Sequence, residues 1–309
     1  MTRLIPILLL IALAALPFAG PAIPGGVYIT RLAVIGLLYI ASATAWDLVG
    51  GLTGQVSFGH SAFFGIGAYM TAWLVGTGWP MPLTLLPGAL LAAAYGALWG
   101  WPCLRLRGPF FAIATIGVGE ATRLIALLAE GVTGGATGLT LSIGGWEHTA
   151  YYLALGLVVV AFALSWLVRR SSLGLGLSCI REDVEAATSI GIKVGWLQVQ
   201  ALMLSAAVVA AAGGIYARYL YYVEPGDVFS FNRGIALILM ATIGGLNSKW
   251  GPAIGAVIFL GLEQGLAAWF PQGHLGIYGL LLIGVMLYEP NGVVAFGRKL
   301  RGVASAAAR

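Results

Sequence analysis

The chain has 309 residues, of which 60% are hydrophobic and only 9% are charged. A soluble globular domain carries about 25% charged residues, and its surface-to-volume ratio does not allow this much apolar side chain to be buried. Lipid must therefore cover much of the surface, which excludes a wholly soluble protein. The net charge of +5 comes without a basic stripe on a solvated face, which argues against nucleic acid as a partner.

About ten apolar runs follow one another along the chain, and a membrane-spanning helix needs about 20 such residues. The runs cover residues 4–19, 27–49, 55–76, 83–101, 109–129, 149–168, 197–220, 232–246, 251–270 and 274–288. They leave room only for short loops. The pattern therefore predicts an all-α polytopic membrane protein of about ten transmembrane or re-entrant helices, with residues 1–309 forming a single transmembrane domain.

Two of these runs leave a choice open. Residues 4–18 follow Arg3 and look like a signal peptide, but a polytopic protein can keep its first span, and we expect this one to be retained. The stretch Gly50–Gly54 is too glycine-rich for a plain lipid-facing helix. The run 55–76 is accordingly either a full span or a re-entrant segment.

Basic residues indicate the orientation, because cytoplasmic loops are enriched in Lys and Arg. Ten crossings from a cytoplasmic N-terminus place most of them at inner ends. These are Arg3, Arg105, Arg107, Arg169, Arg170, Arg181, Lys193, Lys249, Arg298, Lys299, Arg301 and Arg309. The pattern predicts both termini on the cytoplasmic side, and loops 130–148 and 221–231 outside.

The longest polar stretch, residues 169–196, predicts a short cytoplasmic helix over residues 182–191. Acidic residues fall in its first turn, where they suit the positive end of the helix dipole. Small alanines occupy its centre, and Gly191 follows the last turn, where a left-handed backbone is common. A helix lying on lipid would instead carry lysines and bulky aromatics. The pattern therefore predicts a docking helix for a cytoplasmic protein. Its expected contact residues are Glu182, Asp183, Glu185, Ala186, Ala187 and Gly191.

A second group of candidates is polar at membrane depth and follows Gly54: Gln55, Ser57 and His60. Polar groups there are costly unless they face protein or water. One interpretation is a lining for a translocation path. The other is a set of buried hydrogen bonds that holds a glycine-rich hairpin together. The sequence leaves both open.

Charged residues also occur inside predicted spans. Glu120 and Arg123 lie three residues apart on one helix face. Glu120 is a candidate for the translocation path, as a substrate-amine or proton site, but an intrahelical ion pair near the outer membrane end is the simpler interpretation. Asp47 lies near an inner end, where water is expected to be close. Glu263 is expected to make a hydrogen bond at a helix interface.

The sequence contains no Walker A loop, no catalytic-triad motif and no cluster with metal-ligand spacing. Cys103 and Cys179 lie far apart and are expected to be reduced and structural. These observations argue against an enzyme, a resident cofactor or a metal site in this chain.

Several blocks together resemble the permeases of branched-chain amino-acid ABC importers, in their LivM-like branch. The segment from Glu185 to Gly191 resembles the EAA loop that contacts the ATPase. The other similar blocks are residues 51–69, 104–115, 133–139 and 243–256, in the family's order, so that the resemblance covers roughly residues 32–292. Pro109 and the stretch Val223–Pro225 depart from the family pattern.

The resemblance implies a type II-like ABC importer permease fold and a translocation path for branched-chain amino acids. It also implies a second homologous permease subunit, two cytoplasmic ATP-binding subunits that hold the ATP, and an extracytoplasmic substrate-binding protein. Residues 169–196 would then be the coupling loop. The same machinery could carry urea, an amide or another small carboxylate. An ion-coupled secondary transporter would place acids at helix breaks near the midplane, and only Glu263 comes near that. A membrane enzyme would need clustered catalytic groups.

Overall fold

The computed structural model describes residues 13–17, 26–142 and 147–269, and the single residues 276, 280, 284, 292 and 293. In chain order its helices are α1 (Gly26–Trp46), α2 (Gly50–Thr53), α3 (His60–Gly76), α4 (Met81–Cys103), α5 (Pro109–Leu128), α6 (Glu130–Thr133), α7 (Glu147–Arg170), α8 (Ser172–Glu182), α9 (Val184–Ser189), α10 (Val194–Leu220), α11 (Pro225–Val228), α12 (Phe231–Gly244) and α13 (Gly251–Trp269).

Two strands of two residues each, β1 (Leu139–Thr140) and β2 (Tyr222–Val223), join the two loops that were predicted to lie outside. They pair antiparallel, with Leu139 opposite Val223. A short 3₁₀ turn over Gly135–Thr137 precedes β1.

Within the described residues, six stretches are long and apolar enough to cross a membrane. They are Tyr28–Thr53, Met81–Cys103, Pro109–Leu128, His148–Arg170, Val194–Leu220 and Pro225–Gly244. The all-α polytopic class is confirmed. Most residues of the predicted spans 4–19 and 274–288 lie outside the described residues, so the full number of crossings stays a prediction.

The run 55–76 is not one continuous helix. Residues 54–59, called the break below, are non-helical, and α3 begins only at His60. The 17 residues of α3 span about 25 Å at about 1.5 Å per residue, less than the hydrocarbon core of about 30 Å. The glycine-rich stretch before the run is thus followed by an interrupted helix. Non-helical backbone of this kind is tolerated at membrane depth only where it is buried in protein or lines a water-filled cavity.

The core of the described fold is built around α10, which packs against α1, α3, α4 and α7. Glycines let the backbones of α3 and α10 meet: a Cβ on Gly67 would lie 1.9 Å from the carbonyl oxygen of Ala210, and one on Gly213 would lie 2.0 Å from that of Phe64. Helices in lipid gain no hydrophobic driving force from packing on one another. Small residues let their backbones approach closely, so that van der Waals packing holds them together instead. By contrast, α4 and α5 bury a much smaller share of their residues than α1 and α10 do.

The expectation of one helix over residues 182–191 is wrong. α8 ends at Glu182 and α9 begins at Val184, with Asp183 in extended conformation between them. The Asp183 carboxylate accepts hydrogen bonds from the backbone N–H groups of Glu185 at 2.7 Å and Ala186 at 3.0 Å, and so caps α9. Glu182 therefore closes one helix instead of opening the next.

Candidate translocation path and coupling surface

The break begins at Gly54, whose φ of +74° places it in the left-handed region at the end of α2. Neighbouring helices bind the polar backbone groups of the break. The indole N–H of Trp46 donates to the carbonyl of Ser57 at 2.8 Å, and the N–H of Phe58 donates to the hydroxyl of Thr115 at 3.1 Å. These side chains thereby satisfy non-helical backbone groups that would have no water to bind inside a membrane.

His60 opens α3 and is fully buried, with 0% of its surface exposed. Its Nδ1 lies 3.0 Å from the hydroxyl of Ser57, and its Nε2 lies 2.9 Å from the hydroxyl of Ser205 on α10. The ring also packs edge-on against Phe63, with ring centroids 5.4 Å apart. His60 therefore faces the protein interior and links the break to α10.

Two amide groups near these elements carry buried oxygens that find no hydrogen-bond partner among the described residues. They are the Oε1 atoms of Gln55, in the break, and Gln198, on α10. Gln198 precedes Ser205 by seven residues, about two helical turns, so both lie on the same face of α10. An unmet buried acceptor costs about 1–3 kcal/mol. These two oxygens therefore keep an unmet hydrogen-bonding capacity among the described residues.

Glu120 and Arg123 form the ion pair that their spacing predicts. Arg123 Nε donates to both carboxylate oxygens of Glu120, at 3.1 and 3.0 Å. The pair lies on the exposed face of α5, whereas the preceding Gly119 is buried and faces Ser61. The structure thus brings Ser57 and His60 together and leaves Glu120 apart from them.

Of the two short helices in the coupling loop, α8 packs on the core, against α2, α7 and α10, and α9 packs mainly against α8. Ala187 is only 2% exposed and belongs to a cluster with Val168, Leu177 and Ile180. The expectation that Ala187 offers close approach to a partner is therefore wrong, because its small side chain is needed for packing within the chain itself.

Three acids are among the exposed residues of the coupling loop, which also include Arg181. Glu182, Asp183, Glu185 and Ala186 are exposed, and Ile190 is 73% exposed beside them. Glu185 pairs with Arg107 of the α4–α5 loop at 3.3 Å, but both side chains are largely solvated. A pair of this kind contributes about 0–1 kcal/mol, so Glu185 remains available to a basic partner surface.

Local backbone geometry fixes the two ends of α9. At its start, the backbone N–H groups of Ala186 and Glu185 hold the pKa of Asp183 below its usual range, because they stabilise the ionised carboxylate. At its end, Gly191 has a φ of +84°, which confirms the predicted left-handed position. A cap and a turn therefore define where the helix begins and where the chain returns to the membrane.

The sequence is similar to a known family of membrane permeases. The model of the family described as "Branched-chain amino acid transport system / permease component" matches residues 28–288. The chain belongs to this family. It is similar to the high-affinity branched-chain amino acid transport system permease protein LivM of Escherichia coli K12, with 29% identity over 94% of this chain and 75% of that protein.

Two further relatives are more distant. The permease protein LivH of Escherichia coli K12 is 24% identical over 84% of this chain and 92% of its own length. The permease protein BraD of Pseudomonas aeruginosa PAO1 is 24% identical over 84% and 92%, respectively. No solved structure matches the permease.

Three residues that lie near the predicted polar residues were not among the candidates from the sequence. Gln198 and Ser205 were hidden in an apolar run, although two polar residues seven apart would have indicated a polar stripe on one face. Asn247 was also missed: its backbone N–H donates to Asp47 at 2.9 Å.

Asp47 was expected near water but is buried, because α7 and the α12–α13 turn cover it. Glu263 does meet a helix partner, since the Tyr39 hydroxyl donates to it at 3.5 Å.

Proposed function

We propose that the permease is a membrane-spanning subunit of an ATP-driven importer and forms the translocation path for branched-chain amino acids. The observation that carries the proposal is the family match over residues 28–288. LivM, LivH and BraD are each named as permeases of branched-chain amino acid transport systems. Their similarity supports the same substrate class for this chain.

The proposal includes partners that supply what this chain lacks. ATP is bound and hydrolysed by two cytoplasmic ATP-binding subunits, and an extracytoplasmic binding protein delivers the substrate. A second, homologous permease subunit completes the path. The permease itself carries out no catalysis and holds no cofactor. In this assignment it lies in a bacterial inner membrane, with both termini and the coupling loop in the cytoplasm.

In the proposed mechanism, the ATP-binding subunits act on the exposed face of the coupling loop. Glu185 meets basic groups of the partner, while the cap at Asp183 and the turn at Gly191 keep α9 at a fixed angle. Movement passes inward through the packing of Ala187 on Val168 and Leu177. Because packed cores shift as units, this movement rotates helices relative to one another and alternates access.

The path itself is proposed to run past the break. Gly54 lies beside the coupling loop, since a Cβ at this position would approach Cγ of Arg181 to 3.5 Å. Gln55, Ser57 and His60 follow it into the interior and would offer a few weak polar contacts to a substrate. Weak binding suits a conducting path, because a tight site would trap the substrate.

The test is reconstitution of the complete importer in liposomes, with ATP inside and the binding protein outside. We expect uptake of leucine, isoleucine and valine that disappears when the catalytic glutamates of both ATPases are replaced. Uptake that persists with inactive ATPases and follows a proton or sodium gradient would contradict an ATP-driven importer. Uptake of urea or amides without leucine uptake would contradict the substrate class but leave the ATP-driven mechanism in place.

A further inference from the structure

Aromatic and basic side chains come together where the end of α7 meets the turn between α12 and α13. On α7, Phe162, Trp166 and Arg170 follow one another at intervals of four residues, so they share one face of the helix. The guanidinium carbon of Arg170 lies 4.4 Å from the centre of the Trp166 ring. From the turn, the ring of Trp250 packs on that of Phe162, with centroids 5.0 Å apart.

Hydrogen bonds hold the turn against the end of α7. Arg169 donates to the backbone carbonyl of Asn247 at 3.2 Å and also binds its side-chain oxygen. Lys249 follows two residues later and is exposed, as Arg170 is. The two cations therefore lie on adjoining ends of the two elements. The basic aromatic patch, as it is called below, consists of Trp166, Arg170, Lys249 and Trp250.

The positive charge of the patch is not neutralised by the part of the chain that the structure describes. Asp47 pairs with Arg169, but no described carboxylate pairs with Arg170 or Lys249. By contrast, Arg107, an exposed arginine of the α4–α5 loop, has Glu185 beside it. The patch therefore carries two unneutralised positive charges, and an anion complements it.

The two indoles of the patch add hydrogen-bond donors. Trp166 is 46% exposed and Trp250 is 51% exposed. The indole N–H of Trp46 donates to a backbone carbonyl, whereas those of Trp166 and Trp250 have no acceptor among the described residues. An indole nitrogen can only donate. A ligand that fits must therefore bring acceptor oxygens together with its negative charge.

Apolar residues continue from the patch along both helices. Ile254 and Val257 follow Trp250 by four and seven positions on α13, and Val159 precedes Phe162 by three on α7; all are exposed. The span that includes α7 ends at Arg170, so these rows lead away from the end of the span into the membrane. A cytoplasmic protein cannot follow them there, but acyl chains can. The ligand is therefore amphipathic.

We propose that the basic aromatic patch binds an anionic phospholipid. Its phosphate oxygens accept from Arg170, Lys249 and the two indole N–H groups, and its acyl chains lie along the apolar rows of α7 and α13. Tryptophan is enriched at the level of the headgroups, and basic pockets between membrane helices on the cytoplasmic side bind acidic headgroups. The patch lies on the predicted cytoplasmic side. This inference goes beyond the proposed function, since the lipid is not the transported substrate.

Photo-crosslinking of the complete importer tests which molecule covers the patch. The liposomes contain equal amounts of phosphatidylglycerol and phosphatidylcholine with the same acyl chains. Ala163 is exposed and lies one turn before Trp166, so a photo-crosslinking amino acid there reports on the patch. Ala94 is the matched control, because it is an exposed alanine on α4, a helix without charged residues.

We expect the lipid captured at position 163 to be enriched in phosphatidylglycerol and that captured at position 94 to have the bulk ratio. The bulk ratio at position 163, or capture of a protein subunit there, would overturn the proposal. Inorganic phosphate, added at constant ionic strength, should leave the enrichment unchanged because it has no acyl chains. Loss of the enrichment in phosphate would point to a soluble anion and would also overturn the lipid.

Charge variants test the role of the cations. Arg170→Ala should lower the enrichment at position 163 about fivefold, the factor that corresponds to about 1 kcal/mol for one basic residue near the membrane surface. Arg170→Lys keeps the charge and should retain most of the enrichment. Arg105→Ala is the control, because Arg105 is exposed on the same predicted side. An equal fall in Arg105→Ala and Arg170→Ala would show general attraction to the surface and overturn the site.

Discussion

Arg169 donates a hydrogen bond to Asp47 at 2.5 Å, at the point where α7 ends and the coupling loop begins. The Asp47 side chain is only 2% exposed and that of Arg169 is 14% exposed. The same carboxylate accepts the backbone N–H of Asn247 at 2.9 Å. A single buried acid thereby joins α1, the coupling loop and the turn between α12 and α13.

Removing either partner of this pair is expected to weaken the fold strongly. Asp47→Ala leaves Arg169 buried without its anion, and breaking a buried pair in this way costs about 3–5 kcal/mol. Replacing both, as Asp47→Ala with Arg169→Ala, should cost clearly less than the sum of the two single changes. Thermal unfolding of the detergent-solubilised importer measures the three variants against wild type. Strictly additive losses would show that the two residues do not act as a pair.

Gly191→Val is expected to destabilise the turn that follows α9. A β-branched residue at a φ of +84° is strained, and a left-handed conformation costs about 1–2 kcal/mol for a residue with a Cβ. Because a Cβ at this position meets nothing within 4 Å, the effect comes from the backbone alone. Gly195→Ala is the matched control, since its site is equally open but has no positive φ.

Gly191→Asn tests the same point from the other side, because Asn tolerates the left-handed region better than other residues. Thermal stability and coupled ATP hydrolysis of the importer should fall for Gly191→Val and remain near wild type for Gly191→Asn and Gly195→Ala. Equal loss in the Asn and Val variants would contradict the backbone explanation.

Asp183→Ala is expected to loosen the first turn of α9, because the N–H groups of Glu185 and Ala186 lose their acceptor. Asp183→Asn should retain most of the cap, since Asn is an equally good capping residue. Hydrogen exchange of residues 184–189 gives the readout. Unchanged protection in the Ala variant would contradict the cap.

The same cap has a defined pH dependence. Because the pKa of Asp183 is lowered in the folded state, its stabilising effect is fully present above the ordinary aspartate pKa of about 3.9. It is lost as the pH falls below that value, through the lowered pKa. Protection of α9 should therefore stay constant from neutral pH down to about pH 5. Loss of protection near pH 6 would contradict this assignment.

How far the sequence could predict the structure depends on whether a feature is local. The positive φ of Gly191 and the pairing of Glu120 with Arg123 follow from a few neighbouring residues, and both were predicted correctly. The end of α8 at Glu182 was not, because an acidic residue suits both a first helical turn and a capping position. Only the extended backbone of Asp183 distinguishes them.

Features that depend on distant parts of the chain could not be predicted from local sequence patterns. Ala187 faces inward, where it joins a buried cluster that includes Val168 and Leu177, and the sequence of a short helix does not say which of its sides a distant part of the chain will cover. The burial of Asp47 depends on Arg169 and Asn247, which lie 122 and 200 residues away in sequence. Tertiary packing decides such cases, whatever the local preference.

His60→Ala is expected to lower leucine uptake about tenfold, equivalent to about 1.4 kcal/mol, while the importer still assembles. The change removes the ring that joins Ser57 in the break to Ser205 on α10. Ser205→Ala is the matched control, because it removes one hydrogen bond and leaves the ring in place. Uptake by reconstituted importer, normalised to assembled complex from gel filtration, is the measurement. Failure of assembly before any loss of specific uptake would favour a purely structural His60.

Ala186→Trp tests whether the exposed face of α9 transmits the work of ATP hydrolysis. Ala186 is exposed, so the indole should leave the fold of the permease intact and hold the ATPase away from the coupling loop. Leu90→Trp, on the lipid-facing surface of α4, controls for the added bulk. ATP hydrolysis by the purified importer, with and without loaded binding protein, is the measurement. We expect substrate stimulation to disappear in Ala186→Trp and to persist in Leu90→Trp; full stimulation in Ala186→Trp would show that this face of α9 does not transmit the work.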